Sequence, residues 1–176
     1  VAIPTLNWLV QSEHEVALII TQPDRPAGRG RLLQQSVVGK WAESHQIPVL
    51  KPGNSSELIG EIEGLDLVLT IGYGVLLPEA ILALPKRGFL NLHFSLLPAY
   101  RGAAPAQRAL HNGETVTGVS VFQLDKGMDT GPIFTQESLH IDPSWRSFEL
   151  LEHLAALGPE VVKRSFAMIE SGQSPY

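Results

Sequence analysis

The sequence contains no cysteine among its 176 residues. A disulfide framework, a thiolate nucleophile and a cysteine-bearing zinc site are therefore excluded. No apolar run approaches the roughly 18 residues that a membrane-spanning helix needs, and the chain has the length of one ordinary domain. We therefore expect a soluble protein with a single hydrophobic core and no membrane partner.

Positively charged residues are fewer than negatively charged ones. The 13 Lys and Arg residues face 18 Asp and Glu residues, which gives a net charge of −5. Such a balance opposes nonspecific binding to polyanions, so any nucleic-acid partner must contact a local basic patch. One such patch is the Pro- and Gly-rich segment 22–31, where Arg25, Arg29 and Arg31 accompany a single aspartate. For an arbitrary basic turn, a solvated surface loop is the more common interpretation.

Apolar runs rich in β-branched residues alternate with segments of helical periodicity. This pattern is typical of an α/β protein with a Rossmann-like, mostly parallel sheet flanked by helices. The predicted strands are 16–21, 67–71, 89–94, 116–124 and 133–139. The predicted helices are 4–11, 37–45, 56–63, 104–112 and 147–170, the last being two helices or one helix kinked at Gly158-Pro159.

Both ends of the chain are unusual for this class. Doubly wound sheets normally begin with a central strand, whereas this chain begins at Val1 with a helical pattern. It finishes in a turn-prone run, 171–176. We therefore expect the first strand of the sheet to be missing from this chain.

The densest group of unusual residues follows the predicted strand 89–94. Asn91 and His93 are two residues apart, so their side chains project to the same face of that strand. Ligands of open α/β sheets bind outside the carboxyl ends of the strands, which is where these residues would lie. A second polar cluster, 125–131, contains Asp125 and Asp129 and follows another predicted strand. It could fold back against the first.

An amide donor, an imidazole and a carboxylate are the groups that acyl transfer to an amine requires. The oxyanion of the tetrahedral intermediate needs a donor, and the attacking ammonium must lose protons. The alternative is structural, because a single His at a strand end is more often a hydrogen-bonding group and such Asp-Gly strings are usually turns. Ser95 lacks the Gly-x-Ser-x-Gly surroundings of an exposed nucleophile, which disfavours a serine hydrolase.

Four motifs occur in order: N-x-H-x-S-L-L-P from Asn91, an aromatic residue with R-G at 100–102, T-G-V at 117–119 and D-x-G-x-D-T-G from Asp125. Together they strongly resemble the formyltransferases that use 10-formyltetrahydrofolate, and the resemblance extends from about residue 16 to 157. It implies that Asn91, His93 and Asp129 are the catalytic trio and that Asp125 shapes the loop. The first of these motifs would also have a cis peptide bond between Leu97 and Pro98.

The same resemblance implies a folate pocket. We expect no metal, because His93 must stay free to exchange protons and no second histidine lies at ligand spacing. The pocket would be lined by the segment Ser95, Leu96, Leu97 and Pro98 and by the loop 73–77, where Tyr73, Val75 and Leu77 are the candidate residues. The family pattern also divides the chain into a formyltransferase catalytic domain, 1–170, and the start of a linker, 171–176. That linker would lead to a C-terminal β-barrel domain.

The catalytic trio is shared by several relatives that formylate different amines, among them glycinamide ribonucleotide and sugar nucleotides. The segment 22–31 resembles the tRNA-contacting loop peculiar to methionyl-tRNA formyltransferases, and the run 101–110 points the same way. This implies initiator methionyl-tRNA as the partner, with Arg25, Arg29 and Arg31 in contact with it. It also implies a cytoplasmic enzyme that is a monomer. Two alternatives stay open: a formyltransferase for a sugar nucleotide or other small amine, and a noncatalytic folate-binding fragment.

Overall fold

The computed structural model describes residues 1–27 and 31–176. Its helices are α1 (Ile3–Leu9), α2 (Val37–Ser44), α3 (Glu79–Leu82), α4 (Pro105–His111) and α5 (Ser147–Glu170). Its strands are β1 (Ile19–Ile20), β2 (Arg25–Ala27), β3 (Leu32–Gln34), β4 (Val49–Leu50), β5 (Val68–Ile71), β6 (Phe89–His93), β7 (Val116–Gln123) and β8 (Ile133–His140). The predicted α/β class is confirmed.

A mixed four-stranded sheet with the order β5-β6-β7-β8 forms the centre of the fold. Strands β5 and β6 are parallel, whereas β7 runs antiparallel to both β6 and β8. The sequence led us to expect a mostly parallel sheet. Residues 124–132 alone connect β7 to β8, and this connection is shorter than the dozen or more residues that a parallel crossover needs. An antiparallel pairing follows.

Two smaller pieces of sheet accompany the central one. Strands β1 and β4 pair in parallel, and β2 and β3 form an antiparallel hairpin within the basic segment 22–31 and its extension. A cavity of about 900 Å³ lies between β1 and β5 and is lined by both strands. The expectation of a missing first strand stays a prediction.

Helix α5 packs across the central sheet and is continuous through Pro159. A proline removes one backbone hydrogen bond, but one face of this helix is fully buried, which stabilises the helix in spite of that loss. The buried residues include Leu150, Leu154, Val161 and Val162. Of the two forms expected for this segment, the structure therefore has the single helix.

Several short elements differ from those that hydrophobic periodicity predicted. The expected helix 56–63 is only a short 3-10 helix, Ser55–Leu58, because the chain turns at Gly60, whose φ is +83°. The short elements β2, β3, β4 and α3 were not expected. Within the described residues, no helix is long and apolar enough to cross a membrane.

Candidate active site

Strand β6 carries Asn91 and His93 at its carboxyl end. The strand lies between β5 and β7, and the side chain of Asn91 is anchored to β5: its Nδ2 donates to Oγ1 of Thr70 at 2.8 Å. The Thr70 hydroxyl in turn donates to the main-chain oxygen of Leu90 at 3.0 Å. Asn91 makes no other side-chain hydrogen bond to the part of the chain that the structure describes. Its second amide hydrogen is thus available to a substrate oxygen.

The imidazole of His93 is buried, with 7% of the residue exposed. Its Nε2 lies 3.1 Å from the main-chain oxygen of Tyr100. A carbonyl oxygen only accepts hydrogen bonds, so Nε2 carries the hydrogen in this contact. The other nitrogen, Nδ1, faces Oδ2 of Asp129 at 3.5 Å, which is longer than a charge-assisted hydrogen bond. The shorter contact therefore favours the Nε2–H tautomer, in which Nδ1 is the nitrogen that can accept a proton.

Burial is the main influence on the pKa of His93 and lowers it below the ordinary histidine value. The negative charge of Asp129 and the carbonyl of Tyr100 oppose this shift, while the positive charge of Arg108 adds to it. A lowered pKa keeps the imidazole neutral near pH 7. The neutral imidazole is the form that can take a proton from an attacking amine.

Asp129 lies in the loop after β7 and adopts a left-handed backbone conformation, with φ +52°. Its Oδ2 accepts a hydrogen bond from the main-chain nitrogen of Gly102 at 2.7 Å. Asp125 shapes the same loop, since its Oδ1 accepts from the nitrogen of Gly127 at 2.8 Å and from Oγ1 of Thr130 at 2.7 Å. The predicted approach of His93 to Asp129 and the loop-shaping part of Asp125 are confirmed. Their chemical roles stay predictions.

The hydroxyl of Ser95 is already used inside the fold. Ser95 is fully buried, and its Oγ donates to the main-chain oxygen of Ala99 at 2.6 Å. A nucleophilic serine must present its oxygen to substrate and to a general base. This geometry further disfavours the serine-hydrolase interpretation.

A buried polar network holds the 95–98 segment, which the sequence predicts to bind folate. The peptide bond between Leu97 and Pro98 is cis, as predicted. Ser120 on β7 accepts a hydrogen bond from the nitrogen of Leu97 at 3.0 Å and donates to the oxygen of Ser95 at 2.7 Å. Gln136 on β8 donates to both Leu97 and Ser120, at 3.0 Å and 2.8 Å. Leu96 is half-buried and Pro98 is exposed at the surface of this loop.

Sequence reasoning assigned no role to Ser120 or Gln136. The only sequence signal was that each is a polar residue inside a predicted strand. The structure pairs the two residues side by side on β7 and β8. The neighbouring T-G-V motif has a steric explanation. A Cβ on Gly118 would lie 2.1 Å from the oxygen of Glu137 and 2.6 Å from a side-chain carbon of Leu96. The glycine lets the segment 95–98 lie against β7.

The loop 73–77 places its three candidate residues differently. Val75 is 41% exposed, whereas Leu77 is 7% exposed and packs in a core cluster with Leu58, Ile81 and Phe89. Burial raises the pKa of the half-buried Tyr73. Tyr73 and Val75 line a cavity of about 230 Å³ together with Gln22 and Arg25. This cavity brings candidate folate-binding residues next to a candidate tRNA-binding residue.

The basic segment forms a defined hairpin on the described residues. Arg25 pairs with Gln34 and is exposed, and its guanidinium donates to Oε1 of Gln22 at 3.0 Å. The base of the hairpin is held by an ion pair between Asp24 and Lys51 at 2.7 Å. Arg31 is also exposed, with φ +50°. Arg29 lies outside the described residues.

Metal binding has no structural support among residues 1–27 and 31–176, where no group of three or more His, Asp or Glu side chains could hold an ion. The expectation that the chemistry needs no metal stays a prediction. Neither the 900 Å³ cavity nor the 230 Å³ cavity is lined by Asn91, His93 or Asp129. Asn91 and His93 lie instead on β6, and Asp129 lies in the loop after β7.

The chain is similar to known proteins in both sequence and fold. The family model for formyl transferase matches residues 4–165. A methionyl-tRNA formyltransferase of Salinispora tropica is 46% identical over 99% of this chain and 58% of its own length. Another, of Hydrogenovibrio crunogenus, is 43% identical over 98% of this chain and 56% of its own length. The chain therefore spans less than three fifths of these relatives.

A solved structure extends the similarity to the fold. The phosphoribosylglycinamide formyltransferase of Bacillus halodurans is 26% identical, covers 97% of this chain and 88% of its own, and superposes with a TM-score of 0.76. A sugar 3N-formyl transferase, solved in the presence of dTDP and 5-N-formyl-THF, has a TM-score of 0.73 at 22% identity. At that identity the likeness shows the fold alone.

Proposed function

Because this chain belongs to the formyl transferase family, we propose that it transfers the formyl group of 10-formyltetrahydrofolate to the α-amino group of initiator methionyl-tRNA. The observation that carries this proposal is the contact between Nδ1 of His93 and Oδ2 of Asp129 at 3.5 Å. Asn91 precedes His93 by two residues on the same face of β6. The site thus combines an amide donor for an oxyanion, a neutral base and a carboxylate that stabilises the protonated base.

In the proposed reaction the neutral amine attacks the formyl carbon and forms a new C–N bond. The carbonyl oxygen becomes an oxyanion, which the Nδ2 hydrogen of Asn91 stabilises. Nδ1 of His93 takes the proton that the amine nitrogen loses, and Asp129 stabilises the resulting imidazolium. Breakage of the bond from the formyl carbon to N10 of the folate completes the transfer, with the proton returned to N10.

The residues present fit a flat heteroaromatic ring with a polar edge. Exposed Val75, half-buried Leu96 and Tyr73 offer apolar or aromatic surface. Apolar side chains with a few fixed polar groups are the usual lining of such pockets. The network of Ser120 and Gln136 would keep the 95–98 segment in one conformation before folate binds.

Two observations favour methionyl-tRNA as the acceptor over a small amine. Relatives named methionyl-tRNA formyltransferase reach 46% identity over 99% of the chain, compared with 26% for the phosphoribosylglycinamide formyltransferase. The hairpin β2-β3 also projects the exposed Arg25 and Arg31 from an acidic protein, and arginines suit phosphate contacts. Arg29 belongs to the same proposed contact surface.

The remaining parts of the proposal concern the setting of the enzyme. Residues 1–170 would form the catalytic domain and 171–176 the start of a linker to a β-barrel domain. We propose a monomer that acts in the cytoplasm and uses no metal. The full-length protein would hold tRNA through both the basic hairpin and the additional domain.

The test is to supply the protein with 10-formyltetrahydrofolate and, in parallel, with methionyl-tRNA, glycinamide ribonucleotide or an amino-sugar nucleotide. Mass spectrometry would identify which amine is formylated. We expect formylmethionyl-tRNA as the main product. Preferential formylation of a small amine would overturn the choice of acceptor, and folate binding without transfer to any amine would favour the noncatalytic alternative.

A further inference from the structure

Tyr100 adopts a backbone conformation that a tyrosine rarely takes. Its φ is +57°, in the left-handed region where the Cβ atom of a residue crowds the following carbonyl oxygen. Such strain persists only where the surroundings hold the residue in place, and it clusters near functional sites. The contacts of Tyr100 show what holds it.

Three side chains from α4 and the turn after it clamp the Tyr100 side chain. The phenol hydroxyl donates to Oε1 of Glu114 at 2.5 Å and accepts from Nδ2 of Asn112 at 3.0 Å. The guanidinium of Arg108 lies 5.4 Å from the centre of the ring, within the range of a cation–π contact. Arg108 also donates to the main-chain oxygen of Arg101. We call Tyr100, Arg108, Asn112 and Glu114 the tyrosine clamp.

The other end of Tyr100 reaches the reaction centre. Its main-chain oxygen accepts the Nε2 hydrogen of His93 at 3.1 Å. In a neutral histidine only one ring nitrogen carries a hydrogen, and the partner of the other nitrogen is thereby decided. A hydrogen on Nε2 leaves the lone pair of Nδ1 directed toward Asp129. Without an acceptor for Nε2, the hydrogen would move to Nδ1 and bond directly to the Asp129 carboxylate.

We propose that Tyr100 is a positioning residue for His93: the tyrosine clamp holds its main-chain oxygen against Nε2 and so keeps Nδ1 free to accept the proton of the attacking amine. The proposal rests on the proposed function for the identity of that amine, but the selection of the tautomer is a property of the free protein. The side chains that do this lie outside the contacts of the proposed reaction and touch neither Asn91 nor Asp129.

The charges that face His93 predict how release of the clamp changes its pKa. Burial and Arg108 lower the pKa, whereas Asp129 and the Tyr100 carbonyl raise it. Loss of the carbonyl contact removes a group that stabilises the imidazolium. The pKa of His93 should therefore fall further, and the acid limb of the rate profile should move to lower pH.

A purely structural role for the clamp makes a different prediction. If Tyr100 only fastened the turn after α4, removing its hydroxyl would lower the free energy of unfolding but leave the imidazole unchanged. Histidine ¹⁵N chemical shifts separate the two cases, because they distinguish the Nε2–H tautomer from the Nδ1–H tautomer. The signal of His93 among the six histidines can be assigned by its absence from the spectrum of His93→Gln.

The decisive variant is Tyr100→Phe, which keeps the ring and loses only the bonds to Glu114 and Asn112. Its matched control is Tyr176→Phe, the same change at a tyrosine that is 72% exposed and whose hydroxyl has no partner on the described residues. We expect Tyr100→Phe to lower the Nε2–H fraction and to lower kcat by up to about 100-fold, the loss that a misplacement of about 1 Å can cause. The control should match the wild type.

A second variant keeps the proposal testable if Tyr100→Phe is unstable. Glu114→Gln retains an acceptor of the same size, so we expect a shift of the tautomer and pKa in the same direction but smaller. An unchanged tautomer and pKa in folded Tyr100→Phe would overturn the proposal. Because both readouts use the free protein, they also separate this outcome from a failure of the proposed reaction with methionyl-tRNA.

Discussion

The main-chain nitrogen of Gly102 donates a hydrogen bond to Oδ2 of Asp129 at 2.7 Å. This bond joins the loop after β6 to the loop after β7, and the same oxygen lies 3.5 Å from Nδ1 of His93. Gly102 and Asp129, which belong to two different motifs and are 27 residues apart in the sequence, therefore meet through a backbone group. Gly102 has φ +82°, which presents its N–H to the carboxylate without a side chain in the way.

Gly102→Ala should reduce activity more than it reduces stability. An added Cβ would lie in the left-handed region, at roughly 1–2 kcal/mol, and 2.9 Å from the sulfur of Met128. We expect Asp129 to shift and kcat to fall. Gly60→Ala is the matched control, since Gly60 has φ +83° with nothing within 4 Å of the added Cβ. Similar losses of kcat in both variants would contradict the role of the Gly102 contact.

His93→Ala should lower kcat by about 10²-fold or more, because it removes both the proton acceptor and the partner of Asp129. Binding of a folate analogue should change much less. The same substitution at exposed His140 supplies the control and should leave kcat unaltered. Near-normal turnover of His93→Ala would contradict the catalytic role proposed for His93.

Asp129→Asn should change the pH dependence as well as the rate. The negative charge of Asp129 raises the pKa of His93 against the effect of burial, so its removal should lower that pKa. The acid limb of kcat should then move to lower pH while the maximum rate decreases. The new side chain can still accept from Gly102, which preserves the loop. The control is Asp66→Asn, which removes an exposed carboxylate paired with Lys86. A shift of the acid limb to higher pH in Asp129→Asn would contradict the explanation.

Ser120→Ala should destabilise the protein. The buried Ser120 hydroxyl uses its donor and both lone pairs, so its loss leaves the main-chain oxygen of Ser95 and the nitrogen of Leu97 without this partner. Gln136 loses one of its two hydrogen bonds. Each buried unsatisfied group costs about 1–3 kcal/mol. Urea unfolding should show a loss of at least that size, and binding of a folate analogue should weaken. Ser171→Ala, which removes one exposed hydroxyl bond, should have little effect; equal losses would show that the network is not the cause.

Arg29→Ala should weaken the use of methionyl-tRNA by about 1–3 kcal/mol if the side chain contacts a base, and by less if it contacts one phosphate. Arg29→Lys should also weaken the use of methionyl-tRNA, because the planar guanidinium group donates several hydrogen bonds in a fixed geometry, whereas lysine keeps only the charge. Formylation of methionyl-tRNA and binding of a folate analogue would be measured on the same variants. A loss of folate affinity equal to the loss of activity would argue against an RNA contact.

The sequence by itself determined the α/β class, the main strands and the candidate residues of the site. The strands β5, β6, β7 and β8 were predicted within one residue, because each contains apolar, β-branched or aromatic residues between turn-forming segments, and this signal is local in the sequence. The ordered motifs indicated Asn91, His93 and Asp129. Alternation along β6 predicted a common face for the first two of them.

Only the tertiary structure decided how these parts meet. The antiparallel pairing of β7, the continuity of α5 through Pro159 and the bond from Gly102 to Asp129 depend on contacts between residues far apart in sequence. Local propensity carries no information about such contacts, since packing overrides it wherever a face is buried. The tyrosine clamp is of the same kind: the sequence shows an aromatic residue before R-G, but only the fold places its carbonyl on Nε2 of His93 and its hydroxyl on Glu114.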